Sequence, residues 1–179
     1  DLNAAEKAKR TEEINREMLM CVPNEMTNDN QFLRRIYVDV AGRIPTYDEA
    51  EAFLNDRAPN KRALLINKLL DSEAFVMRMY NYYSDILRIR EGITMMGNGD
   101  IKVDPYMEYI KQSIREDKHF DQLVRELLTA KGKIWEEPAS GYLIADQGMR
   151  LCNLSNTFTV FMGTEITCAQ CHDHPFEEV

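Results

Sequence analysis

The 179-residue chain is predicted to be all-α: an irregular multi-helix bundle with a cysteine- and histidine-bearing loop at its C-terminal end. Three observations carry the prediction. Apolar residues recur at helical spacing along most of the chain, capping residues and terminal glycines punctuate them, and the period-two alternation of strands is scarce.

The first twenty residues, rich in Ala, Glu, Lys and Arg, read as a solvent-facing helix or a flexible lead-in. The chain therefore divides into residues 1–28, an N-terminal helix or lead-in, and residues 29–179, the helical domain. After the polar stretch "TNDN", Phe32, Leu33, Ile36, Tyr37 and Val40 share one face, and Gly42 stands where a C-terminal cap would. In "IPTYDEAEAFL", Thr46 and Glu49 form a capping box ahead of an inward stripe of Ala50, Phe53 and Leu54. Asn60 is placed to cap a short helix carrying Leu65, Ile66, Leu69 and Leu70. Ser72 opens "EAFVMRMYNYYSDILRI", the most aromatic segment, with Phe75, Met79, Tyr82, Tyr83 and Ile86 on one side.

"REGITMMGNGDIKVD" reads as a loop, because three glycines and Asn98 oppose a continuous helix. Asp104 and Pro105 then start a helix through about Asp117, since proline suits the first turn. "FDQLVRELLTAKG" follows, with Leu123, Leu127 and Leu128 inward and Gly132 as terminator. Around Pro138 the chain is irregular. "YLIADQGMRLCNLSNTFTVFMG" reads as helix in two pieces, the second closed by Gly163. No internal repeat and no coiled-coil heptad run appears.

Hydrophobic residues make up 44% of the chain and charged ones 29%, the balance of a globular protein able to bury one core. A net charge of −8 argues against a broad nucleic-acid surface, which needs a Lys/Arg stripe to neutralise phosphates; Lys7, Lys9 and Arg10 make only a local basic patch. No apolar run approaches the roughly 18 residues of a transmembrane helix. Starting at Asp1 with no initiator methionine, the chain reads as a mature or excised piece of a longer one.

The chemistry concentrates in "CAQCHDHP", residues 168–175. Cys168 and Cys171 have the spacing of covalent c-type haem attachment: two thiols two residues apart reach the two vinyl positions of one porphyrin, and the adjoining His172 can ligate the iron. The sixth ligand is open among Met149 and Met162, nearest in sequence, and Met95 and Met96, in the glycine-rich loop; an iron without one is equally admissible. His174, two residues from His172, reaches the opposite face of the same haem poorly and suits a local hydrogen bond or a propionate.

Zinc is the competing reading. Cys168, Cys171, His172 and His174 are all types that zinc accepts. Against it, structural zinc sites draw ligand pairs from separated stretches, and adjacent Cys171 and His172 are hard to aim at one ion. A thiol–disulfide active site lacks the expected strand before its CxxC, and a structural turn with no bound group is the plainest alternative. Cys21 and Cys152 read as core residues that can pair in an oxidising compartment if the fold brings them together, and His119 as a surface turn residue. No catalytic constellation emerges. Asp173 and Glu177 are not paired with other carboxylates at a recognisable spacing, so an electron carrier is favoured over a catalyst.

"FMGTEITCAQCHDHPF", with "FLRRIYVDVAGRIPTYDEAEAFL", "LINKLLDSEAF" and "DKHFDQLVRELLTA", resembles the planctomycete-type secreted cytochrome-like domain of unknown function, from about Asn30 to Phe176. The resemblance implies an exported, largely helical protein, commonly with a cytochrome c domain upstream and an uncharacterised domain downstream. It places the motif at Cys168, Cys171 and His172, followed by Asp173, His174 and Pro175. Where the family tends to carry tryptophans in the aromatic helix, this chain has Met79 and Tyr83. The expectation is thus a haem c electron-transfer module, periplasmic, envelope-bound or secreted, whose partners are a redox protein or the neighbouring domains of the full-length chain.

Overall fold

The computed structural model describes residues 6, 9–15, 25–95 and 99–170, with the backbone alone for 93–95, 99 and 100. The fold is all-α, as the spacing of apolar residues predicts. A helical segment over residues 9–15 (α1) is exposed. Helix α2 (Asp29–Ile36) starts where Asn28 Oδ1 accepts the Gln31 N–H at 2.9 Å. It widens into a π-helical turn (Tyr37–Ala41) that ends at Gly42. That wider turn carries Leu33, Tyr37 and Ala41 into the core, leaving Phe32, Ile36 and Val40 at its edge.

Helix α3 (Tyr47–Asn55) has the predicted capping box: Thr46 Oγ1 accepts from the Glu49 N–H at 3.3 Å, and Glu49 Oε2 from the Thr46 N–H at 2.8 Å. Phe53 is buried, but Leu54 is exposed, because this short helix meets the core along the line of Ala50 and Phe53 alone. Helix α4 (Lys61–Leu70) buries Leu65 and Leu69 and leaves Leu70 in water. Asn60 precedes it without a side-chain cap. The helix start is instead tied to α2, Lys61 and Arg62 meeting Asp29 at 2.6 and 2.7 Å.

Helix α5 (Glu73–Ile86) begins at Ser72, whose Oγ accepts the Phe75 N–H. Its inward stripe lies one residue round from the prediction. Val76, Tyr80 and the following Leu87 are buried, Phe75, Met79, Tyr83 and Ile86 are half-buried, and Tyr82 is exposed. The reason is that α5 serves two clusters, Ala74 packing on the first and Tyr80 and Leu87 lying in the second.

The glycine-rich segment expected as a loop forms an antiparallel pair, β1 (Gly92–Met95) with β2 (Gly99–Lys102), in which Ile93 faces Ile101. Glycines and asparagine between two short runs that contain β-branched residues are a hairpin signal as much as a helix stop. Helix α6 (Asp104–Arg115) has Pro105 in its first turn and buries Tyr106, Ile110 and Ser113. Helix α7 (Phe120–Thr129) follows exposed His119 and buries Leu123 and Leu127, while Leu128, a further 100° round the helix, is exposed.

A 3₁₀ turn (Pro138–Ser140) leads into the one-turn α8 (Gly141–Ile144), then α9 (Arg150–Met162). Glycine is required at the start of α8. A β-carbon on Gly141 would stand 2.5 Å from the Tyr106 Cβ and closer still to its ring, so α6 and α8 approach only because that atom is missing. Two cores result. The first holds Leu33, Tyr37, Phe53, Leu65 and Leu69; the second gathers Tyr80, Leu87, Tyr106, Ile110, Leu127 and Tyr142.

Candidate functional site

Helix α9 is the platform of the turn that carries Cys168. It is amphipathic in an unusual way, because its one fully buried side chain is Ser155. Ser155 Oγ and Thr167 Oγ1 stand 2.8 Å apart, and Cys152 Sγ lies 3.7 Å from Gln170 Oε1. Gly163, at φ 64°, ends the helix and turns the chain back, so that the 3₁₀ turn Thr167–Gln170 returns along the Cys152–Ser155 face. Glu165 shapes that turn by accepting the Thr167 N–H at 2.8 Å and the Thr167 hydroxyl. Those hydrogen bonds hold its carboxyl below the usual carboxylate range.

The other face of α9 is fastened to the second core. Tyr142, fully buried, shares a hydrogen bond with Thr157 at 2.9 Å, and its ring meets Phe161. Asp146, 9% exposed, lies in the turn before α9. Its carboxylate accepts from Arg88 Nη2, Asn153 Nδ2 and Asn156 Nδ2, each at 2.9 Å, and from Arg88 Nε at 3.3 Å. Every lone-pair direction of this carboxylate is answered, which makes burying it tolerable. The Arg88 guanidinium also lies over the Tyr142 ring, 5.7 Å from its centroid. Backbone strain surrounds the pair: Arg88 and Gln147 adopt φ of 56° and 57°, each a left-handed conformation costing about 1 kcal/mol for a residue with a side chain.

Cys168 is exposed at the turn and unpaired among the described residues. Cys152, expected in the core, is half-buried on α9 beside Gln170 and free among the described residues, while Cys21, its possible partner, lies outside them. Met149 and Met162 are both exposed and stand at opposite ends of α9, about 20 Å apart at the helical rise. Met95 belongs to β1 by its backbone. Cys21, Met96, Cys171, His172, Asp173, His174, Pro175 and Glu177 lie outside the described residues. Among the described residues no three His, Cys, Asp or Glu side chains stand together as a metal site, and no helix is long and apolar enough to cross a membrane.

An apolar cleft of about 260 Å³ lies beyond α9, lined by Tyr82, Tyr83, Phe120, Val160 and Phe161 among others. Val160 and Phe161 sit about 120–140° round the helix from Ser155, so the cleft and the cysteine turn occupy different sides of α9.

Inspection of the sequence missed Arg88, Asp146, Asn153 and Asn156, and the Ser155–Thr167 contact. A signal was present in "CNLSNT", where two asparagines and a serine interrupt a helix otherwise apolar enough to be core. Their buried partner Asp146 had no local signature, being joined to Arg88 across 58 residues of chain.

No curated protein and no solved structure matches the chain. The family model PSCyt2, described as "Protein of unknown function (DUF1549)", matches residues 14–179, nearly the whole chain and all of the site just described. The chain belongs to that family.

Proposed function

We propose that this chain is a c-type haem-bearing electron-transfer module of an exported, multidomain protein, with Cys168 and Cys171 as thioether anchors and His172 as the axial ligand. The observation that carries the reading is the state of Cys168, an exposed thiol, unpaired among the described residues, on a short turn pinned to α9 through Thr167 and Gln170. An anchoring thiol must be reachable by a large planar group yet held in one place. Its chemistry is an addition, the sulfur bonding one vinyl carbon while the thiol hydrogen passes to the other. The haem would supply one-electron chemistry, and the residues of the chain would anchor and orient it. Of the four candidate methionines, Met149 stands at the end of α9 nearest Cys152, the side chain beside Gln170, and is the favoured sixth ligand. The net charge of −8 would steer a basic redox partner, an attraction that salt screens.

A second reading has one observation in its favour. Cys152 brings a thiol from a separate stretch to Gln170 of the Thr167–Gln170 turn, which is what a zinc site with Cys168, Cys171 and His172 or His174 would need.

One preparation separates the two. Protein purified from its native host should be red, retain one haem in its denatured mass, and lose that mass on Cys168→Ser or Cys171→Ser. Colourless native protein overturns the haem reading. Stoichiometric zinc that disappears on Cys168→Ser would put the second in its place.

A further inference from the structure

We infer that Arg88, Asp146 and Asn156 are positioning residues for the Thr167–Gln170 turn that carries Cys168, acting through α9 rather than by touching any bound group. Three observations support this. The Asp146 carboxylate gathers Arg88 from the end of α5 and Asn153 and Asn156 from the first two turns of α9, all within 3.3 Å. The same two turns present Cys152 and Ser155 to the cysteine turn, at Gln170 and Thr167. The chain adopts left-handed φ at Arg88, Gln147 and Gly148 to build the junction, strain that persists only where surrounding contacts over-determine it.

The alternative attachment of α9 is weak. Ser155 is its only fully buried side chain, and Leu151, Leu154 and Met162 are exposed. Apolar packing holds α9 at its C-terminal half, where Phe161 meets the second core, and leaves the rotation of its first two turns to a carboxylate held by three side chains. Two asparagines one turn apart, each donating to one buried anion, read the helix's rotation directly. The cysteine turn inherits that placement through the serine–threonine contact.

The inference stands whichever group the turn carries, so colourless native protein would remove the haem reading and leave this one. The test uses the full chain prepared with its thiols free. Cys152, half-buried beside Gln170, reports the seating of the turn, and its alkylation is followed by mass spectrometry at a fixed interval below each variant's Tm. Asn156→Ala should speed Cys152 labelling about fivefold, the opening expected for one lost hydrogen bond to a buried charge. Leu65→Ala, a lesion in the first core, should change it less than about twofold at the same interval below Tm. Where Asn156→Ala does not fold, Asn156→Ser makes the same comparison. Equal acceleration in the two lesions, or none in the Asn156 variant, would overturn the inference.

Discussion

The two cores of the molecule handle charge in opposite ways. Around the first, ion pairs stay at the rim: Asp29 with Lys61 and Arg62, and Arg43 with Glu49, all partly in water. In the second, polar groups go inside. Tyr106 and Tyr142 are fully buried, and the Asp146 carboxylate is buried beneath an Arg88 side chain that keeps one edge in water. Rim pairs add little and constrain little. A buried, fully hydrogen-bonded pair is costly to form and severe to break, and it admits few alternative packings. The cysteine turn is attached to the second core, the half whose geometry is more tightly specified.

The sharpest way to break that asymmetry is at Gly141. Gly141→Ala forces a β-carbon into Tyr106 and should cost about 3 kcal/mol or more, because neither α6 nor α8 can retreat without opening the second core. Leu127→Ala, at a fully buried site in the same cluster, should cost about 3–4 kcal/mol. Leu65→Ala in the first core, where the side chain is 8% exposed at its edge, should cost about 2 kcal/mol. Chemical denaturation of the three variants checks the order. Equal losses would mean that the two cores are equally well packed.

A smaller effect sharpens the electrostatic half of the comparison. The Arg43 guanidinium, bonded to Glu49 at 2.7 and 2.8 Å, with help from the Thr46 N–H, lowers that carboxyl from its ordinary 4.5 to about 2. A depressed carboxyl stabilises the fold above its ordinary value, and that contribution is lost as pH falls from about 4.5 through about 2. Glu49→Gln should therefore cost about 1 kcal/mol at pH 7, and the gap between variant and parent should close on acidification across that window. A gap unchanged at pH 2 would assign the cost to packing of α3 rather than to charge.

How far the sequence foretold this molecule depended on whether a signal was local. The capping box at Thr46, the cap at Ser72 and the terminator at Gly163 operate within four residues and are legible. The stripes were legible to within one residue: Leu54, Leu70, Tyr82 and Leu128 were placed inward and lie outward, because hydrophobicity marks a helix face only broadly when the facing surface is narrow. The hairpin was hidden by glycines that break a helix and make a turn with equal ease. At the site, Cys168 announced itself by spacing. The side chains that seat its turn did not, because Arg88 and Asp146 meet only through the tertiary fold, and no periodicity encodes a partner 58 residues away.

The smallest effect probes the polar interior of the second core directly. Two of its buried hydroxyls, Tyr106 Oη and Ser140 Oγ, have no hydrogen-bond partner among the described residues. Tyr142 Oη does, sharing one with Thr157 at 2.9 Å. Burial pushes the Tyr106 phenol far above its ordinary range, so it stays protonated at any pH the fold survives. Removing a hydroxyl that has no partner also removes its desolvation penalty, whereas removing a bonded one forfeits the bond, here to a Thr157 hydroxyl that keeps its own bond to Asn153 O. Tyr106→Phe should thus be neutral or raise stability by up to about 1 kcal/mol, and Tyr142→Phe should lower it by about 1 kcal/mol. Thermal melts of the two variants side by side decide the matter. If Tyr106→Phe loses as much as Tyr142→Phe, the Tyr106 hydroxyl is satisfied by buried water, and the second core owes part of its specificity to solvent rather than to its own side chains.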